Sequence, residues 1–102
     1  MARLVALYKT PKDASAFEKH YFCTHVALAK KLPGLRKYEV SQGPVASPAG
    51  PSGFHLVATL HFDDITAIQS AFVSPEGQDT VADVQTFTTD PPHILVFDAR
   101  EL

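Results

Sequence analysis

The sequence has few of the residues on which disulfide, metal-cluster and nucleic-acid chemistry depend. Its 102 residues include one cysteine, Cys23, and no tryptophan. A single cysteine excludes an internal disulfide bond and a cysteine-based metal cluster. The formal net charge is −2, and the 9 Lys and Arg residues form no marked cluster. We therefore expect no nucleic-acid partner, because nucleic-acid binding requires a basic patch.

Long hydrophobic runs are also absent. The N-terminal stretch MARLVALYKTPKD contains a brief apolar run and no small-residue cleavage site. This run is too short for a signal peptide or a membrane-spanning helix. We therefore expect a cytoplasmic protein that does not associate with membranes.

A glycine-rich phosphate loop is missing as well. Gly43, Gly50 and Gly53 lie in a predicted hairpin connection, not between a strand and a helix. A phosphate-binding loop needs its glycines at a strand-to-helix junction, where backbone N–H groups can surround the phosphate. We therefore expect no nucleotide cofactor.

The composition that is present is that of one folded domain. Hydrophobic residues make up 45% of the chain and charged residues 20%, which is ordinary for a globular protein. The length leaves room for a single domain over residues 1–102. A chain this short buries a modest fraction of its surface, so association between copies would add stability.

The first half of the chain predicts a strand, a long helix and two more strands. Residues 3–8 form an almost continuous apolar run, which is typical of a strand covered on both faces. A helix follows from about residue 13 to about residue 32, and Pro33-Gly34 ends it. Segments 35–42 and 54–62 alternate between apolar and polar residues, as half-buried strands do.

The connection between these two strands, residues 43–53, holds three prolines and three glycines. Such a composition disfavours regular pairing. We expect this segment to be the most mobile internal part of the chain and to form a rim or lid over a cavity.

The second half predicts two helical pieces and a final strand. A helix begins after Asp64, and a second piece, capped by Ser74, extends to about Phe87. Residues 93–99 form the last strand. The resulting order, β-α-β-β-α-β, predicts an α+β fold of the ferredoxin-like type. In this fold a four-stranded antiparallel sheet carries its helices on one face.

The face of the sheet opposite the helices is predicted to be apolar. The residues that we place there are Val5, Leu7, Val57, Ile94 and Val96. An exposed apolar sheet face is more often an association surface than a solvated one. We therefore expect a homodimer in which two sheets pack face to face around a two-fold axis.

Three segments resemble the EthD family. They are LVALYK near the start, F...YF..H.AL..KLPGLRKYEV, and SPEGQDTVADVQTF. The resemblance implies a dimeric α+β barrel, in a superfamily that includes cofactor-free monooxygenases, isomerases and haem-degrading enzymes. It indicates the fold more strongly than any activity. Related chains often have proline where Ala27 stands, so we expect a straighter helix here.

The inward face of the first helix carries the residue of greatest interest, His25. An imidazole in a pocket can act as a general acid or base near neutral pH. The alternative is a neutral core histidine bonded to a backbone carbonyl or a tyrosine hydroxyl. The resemblance gives the first interpretation the same weight as the second, because the matching histidine of the family lines a cavity, and both stay open. We see no opposite charge close enough in sequence to form an ion pair with it.

Aromatic residues are predicted to form the rest of the site. Tyr8, Tyr21 and Tyr38 fall on predicted buried faces, where phenols could orient an oxygenated ring compound. Phe22 and Phe97 are predicted apolar walls of the same cavity. The alternative for each of these five residues is core packing alone, which is the more common role of a single buried aromatic residue.

We expect no metal site and no cofactor. His20 and His25 are five positions apart, which places them on different sides of an α-helix. His55 and His61 share a strand face but lie roughly 20 Å apart, too far for one metal ion. Haem ligation by His25 stays open only because the resemblance includes haem-binding relatives.

Two functions are consistent with these features. In the first, a cofactor-independent oxygenase, dehydratase or isomerase acts on a small apolar or oxygenated ring compound, and His25 moves a proton. In the second, a non-catalytic binding or accessory protein of a degradation pathway uses the same cavity without chemistry. Turnover that depends on His25 would distinguish the first from the second.

Overall fold

A four-stranded antiparallel sheet with helices on one face forms the framework of the computed structural model, which describes residues 1–102. Its strand order is β2–β5–β1–β6, which is the ferredoxin-like order predicted from the sequence. The elements are β1 (Ala2–Lys9), α1 (Ala14–His20), a π-helical turn (Tyr21–His25), α2 (Val26–Ala29), β2 (Lys37–Val40), β3 (Ala46–Ser47), β4 (Gly50–Pro51), β5 (Phe54–Phe62), α3 (Ile65–Val73), α4 (Pro75–Phe87) and β6 (His93–Asp98).

Side-chain caps set the starts of three helices. Asp13 accepts a hydrogen bond from the Ala16 backbone, and Asp64 accepts one from that of Ala67. Ser74 caps α4 in the same way, with Pro75 in the first turn. Each cap stabilises its helix by about 1 kcal/mol. The predicted starts of these helices are therefore confirmed, as is the end of α4 at Phe87.

The first helical region differs from the single helix predicted over residues 13–32. It changes to a π-helical turn at Tyr21, and its regular part ends at Ala29. In this turn the Val26 N–H donates to the Tyr21 carbonyl, five residues earlier. Ala27 lies after this turn, in the regular segment α2, so the expectation of a straighter helix at that point stays a prediction. A π-turn closes hydrogen bonds over five residues, so it aligns side chains that an α-helix would separate.

Small side chains line the centre of the sheet on the face that the helices cover. Ala6 of β1 pairs directly with Ala58 of β5, and both are buried. Larger residues on either side, including Leu4, Leu60 and Phe62, fill the space between sheet and helices. The alanine pair leaves room above the two central strands, and this room becomes the cavity described below.

The residues of β6 lie on the opposite faces of the sheet from those predicted. Ile94 pairs with Ala6, and Val96 pairs with Leu4, so both lie on the helix side of the sheet. Directly paired residues of antiparallel strands point to the same face. The opposite face therefore carries Leu95, which pairs with Val5, and Phe97. The placement of Ile94 and Val96 on the free face was wrong.

The free face carries the apolar residues predicted on β1 and β5, beside polar residues such as Arg3, Glu39 and His61. Val5 and Leu7 of β1, and Val57 of β5, point away from the helices. Leu95 and Phe97 extend this surface and are 52% and 42% exposed. No helix is long and apolar enough to cross a membrane.

The connection over residues 43–53 contains a short paired segment, which the sequence argument did not allow for. Ala46 pairs with Pro51, and Ser47 with Gly50. The Ser52 hydroxyl donates to the Val45 carbonyl at 2.6 Å and so supports this small hairpin. The pairing is tolerated because only two residues of each strand take part, and no proline has to donate a backbone hydrogen bond.

Candidate functional site

A cavity of about 590 Å³ lies between the central strands and the helices. Hydrophobic residues supply 15 of its 21 lining residues, and none of the 21 is Lys, Arg, Asp or Glu. Its floor includes Ala6 and Ala58, and the partly exposed side chains of Ile94 and Val96 line it at β6. A cavity of this size and composition is typical of a small-molecule site.

His25 lies at the wall of this cavity and is only 4% exposed. Its Nδ1 is 2.9 Å from Oδ2 of Asp83, which comes from α4. The expectation that no opposite charge lies near His25 is therefore wrong. Asp83 is distant in sequence but close in space because α4 packs against the π-turn. Nε2 of His25 makes no hydrogen bond to another residue, since the imidazole bonds only through Nδ1.

The sequence contained a signal for Asp83 that periodicity alone did not reveal. Gly77, Thr80 and Asp83 are three apart and are the buried residues of α4. A charged residue on the buried stripe of a helix is uncommon unless it is paired. Asp83 also belongs to the SPEGQDTVAD segment that carries the family resemblance.

The electrostatics of this pair favour a neutral imidazole beside an ionised carboxylate. Burial lowers the pKa of His25 below its usual value, and the hydrogen bond to Asp83 offsets this only in part. Burial raises the pKa of Asp83, but the hydrogen bonds from His20 and His25 outweigh it and hold that pKa below the usual range. The Nδ1–H of His25 then donates to the carboxylate. This leaves Nε2 unprotonated, so it can accept a proton.

His20 shares the same carboxylate. Its Nε2 lies 2.9 Å from Oδ1 of Asp83. The sequence argument placed His20 and His25 on different sides of an α-helix, and that placement was wrong. The π-turn between them brings residues five apart onto one side, where each imidazole meets one oxygen of Asp83.

The three tyrosines predicted to surround His25 all line the cavity. The hydroxyls of Tyr21 and Tyr38 are 2.6 Å apart. Tyr8 meets Tyr21 edge to face at a centroid distance of 5.6 Å, and the rings of Tyr21 and His25 are 5.2 Å apart. The predicted arrangement of His25 against a cavity with tyrosines within reach is therefore confirmed, whereas their roles stay predictions.

These phenols remain protonated in the folded protein. Burial raises the pKa of Tyr8, Tyr21 and Tyr38 above the usual value. For Tyr21 the neighbouring Tyr38 raises it further. One hydroxyl of the Tyr21–Tyr38 pair donates to the other, so the second keeps an O–H that can donate to a ligand.

The two predicted phenylalanine walls lie outside this cavity. Phe22 is 50% exposed, and it lines a separate cleft with residues of the 43–53 connection. That connection supplies no lining residue of the main cavity, so it is not positioned as its lid. Phe97 lies on the free face of the sheet, because its neighbours in the strand, Val96 and Ile94, take the helix side. Ile94 and Val96 are the β6 residues that line the cavity instead.

No group of three His, Cys, Asp or Glu residues is arranged to hold a metal ion. His25 is the one histidine that lines the cavity, and its Nδ1 is already bonded to Asp83. His61 and His93 lie on the free face of the sheet. His55, which the sequence placed on the same face as His61, instead points to α1 at a β-bulge, where it contacts Phe17 and Glu18, and it does not line the cavity. A metal-bound group in the cavity would therefore have one nitrogen ligand from the protein.

Comparison with known proteins gives the family of the chain. Residues 9–91 match the EthD domain. An uncharacterised 11.0 kDa protein of Rhodococcus erythropolis, encoded in the thcB–thcC intergenic region, is 33% identical over 98 residues. That alignment covers 96% of this chain and 94% of the relative.

Solved structures agree with this assignment. An EthD family protein from Bacillus halodurans superposes with a TM-score of 0.90 at 36% identity, over 98% of this chain and 99% of that one. The cofactor-independent oxygenase SnoaB from Streptomyces nogalater superposes with a TM-score of 0.70 at 16% identity, over 99% and 94% of the two chains. At that identity the likeness shows a shared fold alone. The chain therefore belongs to the EthD family and has its ferredoxin-like α+β fold.

Proposed function

We propose that this protein is a cofactor-independent enzyme that removes a proton from a small, uncharged ring compound bound in the cavity, with His25 as the base. The observation that carries the proposal is the 2.9 Å contact between His25 Nδ1 and Asp83 Oδ2 in an apolar cavity. A carboxylate that holds one imidazole nitrogen fixes the ring and leaves the other nitrogen available as a base. The fold alone would not support this choice, because it serves many chemistries.

The proton comes from a hydroxyl or from a carbon next to a carbonyl. As Nε2 of His25 takes this proton, negative charge develops on the substrate oxygen. A tyrosine O–H that stays protonated can donate a hydrogen bond to that oxygen and stabilise the charge. Tyr8 and the Tyr21–Tyr38 pair line the same cavity and supply such donors. Isomerisation, dehydration and reaction with oxygen can each follow from the resulting anion.

The cavity wall favours a substrate without charge. A carboxylate or phosphate bound there would lose its hydration and find no cation, since no Lys or Arg lines the cavity. Burying an unpaired anion costs several kcal/mol. The carboxylate of Asp83 behind His25 adds repulsion. A neutral phenol, ketone or quinone would instead bury its ring and place one oxygen near the tyrosines.

The homodimer belongs to the same proposal. Its interface is the free face of the sheet, formed by Val5, Leu7, Val57, Leu95 and Phe97. Exposed apolar side chains on neighbouring strands would be covered if the sheets of two copies packed together. One structural neighbour, at 18% identity and a TM-score of 0.62, is a dimeric protein of unknown function with a ferredoxin-like fold from Bacteroides fragilis.

The experiment begins with mass spectrometry of the denatured protein, which identifies any ligand carried through purification. That compound and its close analogues are then assayed with the wild type and with His25→Gln. His93→Gln is the matched control, because His93 is exposed and faces away from the cavity. We expect His25→Gln to lower turnover at least about tenfold, or roughly 1.4 kcal/mol in transition-state stabilisation, with binding nearly retained. Tight binding without turnover in the wild type would instead identify a non-catalytic binding protein.

A further inference from the structure

The proposed chemistry leaves one histidine of the site without a role. His20 does not line the cavity; its side chain is 32% exposed and lies at a polar cleft of about 390 Å³ on the other side of Asp83. Lys9, Lys12 and Thr86 are among the residues of this cleft. His20 is therefore close to solvent, whereas His25 faces the cavity with a side chain only 5% exposed.

The contact between His20 and Asp83 matches the contact that holds His25. Each imidazole lies 2.9 Å from a different oxygen of the same carboxylate. The side chain of Asp83 is 9% exposed, so its oxygens depend on protein donors. Besides His20, Oδ1 has only the Thr86 hydroxyl, at 3.3 Å. An oxygen of a buried carboxylate that loses its main donor becomes under-solvated and free to reorient.

The surroundings hold His20 in this position. Its ring stacks on Phe87 at a centroid distance of 4.9 Å, and the same phenyl ring contacts His25 at 5.2 Å. Phe87 is the last residue of α4, the helix that carries Asp83. The two imidazoles and the carboxylate are therefore joined by hydrogen bonds and packed by one aromatic ring.

We propose that His20 is a positioning residue that fixes the carboxylate of Asp83 from the solvent side and thereby keeps His25 in the tautomer with Nδ1 protonated and Nε2 free in the cavity. The inference rests on the proposed role of His25 as a base. It assigns His20 no contact with substrate. The other titratable groups near His20, His25 and Asp83 are Tyr21 and Tyr8 on the cavity side, and Lys9, Lys12, Asp13 and Asp90 in the polar cleft beside His20.

Loss of His20 has a defined consequence for His25. When Oδ1 of Asp83 loses a donor, more of the negative charge of the carboxylate is left to Oδ2. Oδ2 then attracts the Nδ1–H of His25 more strongly. A more strongly held Nδ1–H makes the protonated imidazole more stable, so His25 becomes more basic. A carboxylate that reorients instead releases Nδ1 and allows the other tautomer. Either result changes the titration midpoint or the tautomer of His25, and neither of these is determined by the overall stability of the protein.

The experiment measures that property directly, without a substrate. Two-bond ¹H–¹⁵N correlation spectra of protein labelled at histidine report the tautomer and the titration of each of the 5 imidazoles. Signals are assigned with His25→Gln and His93→Gln. The tested variants are His20→Gln and His20→Asn. The longer Gln amide can place its N–H where His20 Nε2 lies, whereas the Asn amide falls short of Asp83.

For the wild type we expect His25 to be the Nδ1–H tautomer. His20→Asn should raise the titration midpoint of His25 by at least about half a pH unit or populate the Nε2–H tautomer. His20→Gln should keep both close to wild type. If His20→Asn does not fold, His20→Gln alone is tested, and a crystal structure shows whether its amide reaches Asp83. An amide that does not reach Asp83, together with a changed titration midpoint or tautomer of His25, would support the proposal. If His20→Asn folds and its His25 keeps the wild-type tautomer and titration midpoint, the proposal is overturned. If only His20→Gln folds, the proposal is overturned when the amide lies away from Asp83 and His25 still behaves as in the wild type.

This outcome is separable from that of the proposed function. A wild-type protein that binds its ligand without turnover overturns the enzyme proposal and leaves the tautomer measurement unaffected. An unchanged His25 in the His20 variants overturns the positioning role, while turnover that depends on His25 stands.

Discussion

Nδ1 of His25 and Oδ2 of Asp83 are 2.9 Å apart although the two residues are 58 positions apart in sequence. The contact joins the π-turn to α4 across the helical layer. Because both partners are buried, their protonation states are coupled to folding. The pH dependence of stability therefore reports on this contact.

Stability is expected to fall as the solution is acidified. The folded pKa of His25 lies below its ordinary 6.5, so the unfolded chain binds a proton first, and stability is lost as pH falls below 6.5. The folded pKa of Asp83 lies below its ordinary 3.8, so its contribution is present above 3.8 and disappears at lower pH. Urea unfolding from about pH 7.5 to about pH 4, a range that crosses the ordinary pKa of histidine, measures the contribution of His25.

The matched control for this prediction is His25→Gln, which carries no titrating group at that position. The wild type should lose more free energy of unfolding than this variant between pH 7 and pH 5, a window of about two units around the imidazole pKa. Parallel pH profiles for the two proteins would contradict the lowered pKa of His25.

Local sequence signals were sufficient for much of the fold. The side-chain oxygens of Asp13, Asp64 and Ser74 cap their helices by accepting hydrogen bonds from backbone N–H groups a few residues later, so the sequence itself indicates where these helices begin. The alternation in β5 identified its buried face correctly from Leu56 to Phe62, but a bulge at the start of the strand turns His55 towards α1, and alternation alone does not signal a bulge. In residues 94–97 all four side chains are apolar, so no alternation distinguishes the faces of β6. Only its pairing with β1 decides them.

The π-turn left a signal that the α-helical period obscured. Phe17, Tyr21, His25 and Ala29 are buried at a strict spacing of four. In an α-helix of 3.6 residues per turn this spacing drifts around the helix, whereas a wider turn absorbs the drift. Asp83 could not be assigned to His25 in this way, because their contact is tertiary. Half of the site, the inward histidine and its tyrosines, was therefore predictable, and its carboxylate partner was not.

Glycine at position 77 is required by the close approach of α3 to the start of α4. An added methyl group there would overlap the backbone oxygen of Ala71 and the backbone of Phe72. These are backbone atoms that cannot rotate away, so Gly77→Ala should lower the free energy of unfolding by at least about 2 kcal/mol. Asp79→Ala, at an exposed position of the same helix, is the control. Denaturant unfolding gives the result, and equal stability of the two variants would contradict the overlap.

The alanine at position 58 is expected to determine whether a ligand can enter. Ala58→Leu would extend into the cavity above Ala6 instead of into packed atoms. We expect a change in stability of less than about 1.5 kcal/mol, together with loss of ligand binding. Ala27→Leu adds the same atoms at an exposed helical position and should bind normally. Calorimetric titration with the identified ligand decides, and undiminished affinity in Ala58→Leu would place the ligand elsewhere.

Dimerisation through the free sheet face predicts a specific response to charge. Leu95→Glu together with Phe97→Glu places two carboxylates in that face, and a two-fold axis would bring their copies together. The wild type should be dimeric at micromolar concentration, with an interface of more than about 1,600 Å² in total. The double variant should be monomeric by light scattering. Val81→Glu, on the helical side and already 49% exposed, should stay dimeric. A monomeric wild type would contradict the interface outright.

The absence of charged residues from the cavity wall predicts selectivity for neutral ligands. Phenol or cyclohexanone can bury a ring of the same size as benzoate, but only benzoate brings a charge that would lose its hydration without meeting a cation. We expect the neutral probes to perturb the NMR signals of Tyr38, Ala58 and Val96, and benzoate at equal concentration to leave them unchanged.

Two controls separate charge from shape. Benzoic acid, like other carboxylic acids, has a pKa of about 4, so well below that pH it is neutral and should begin to bind if the protein stays folded. The neutral amide, benzamide, tests the same point at pH 7 without acidification. Benzoate that binds as tightly as benzamide would show that an anion finds a partner in the cavity, and the proposal of an uncharged substrate would then have to be abandoned.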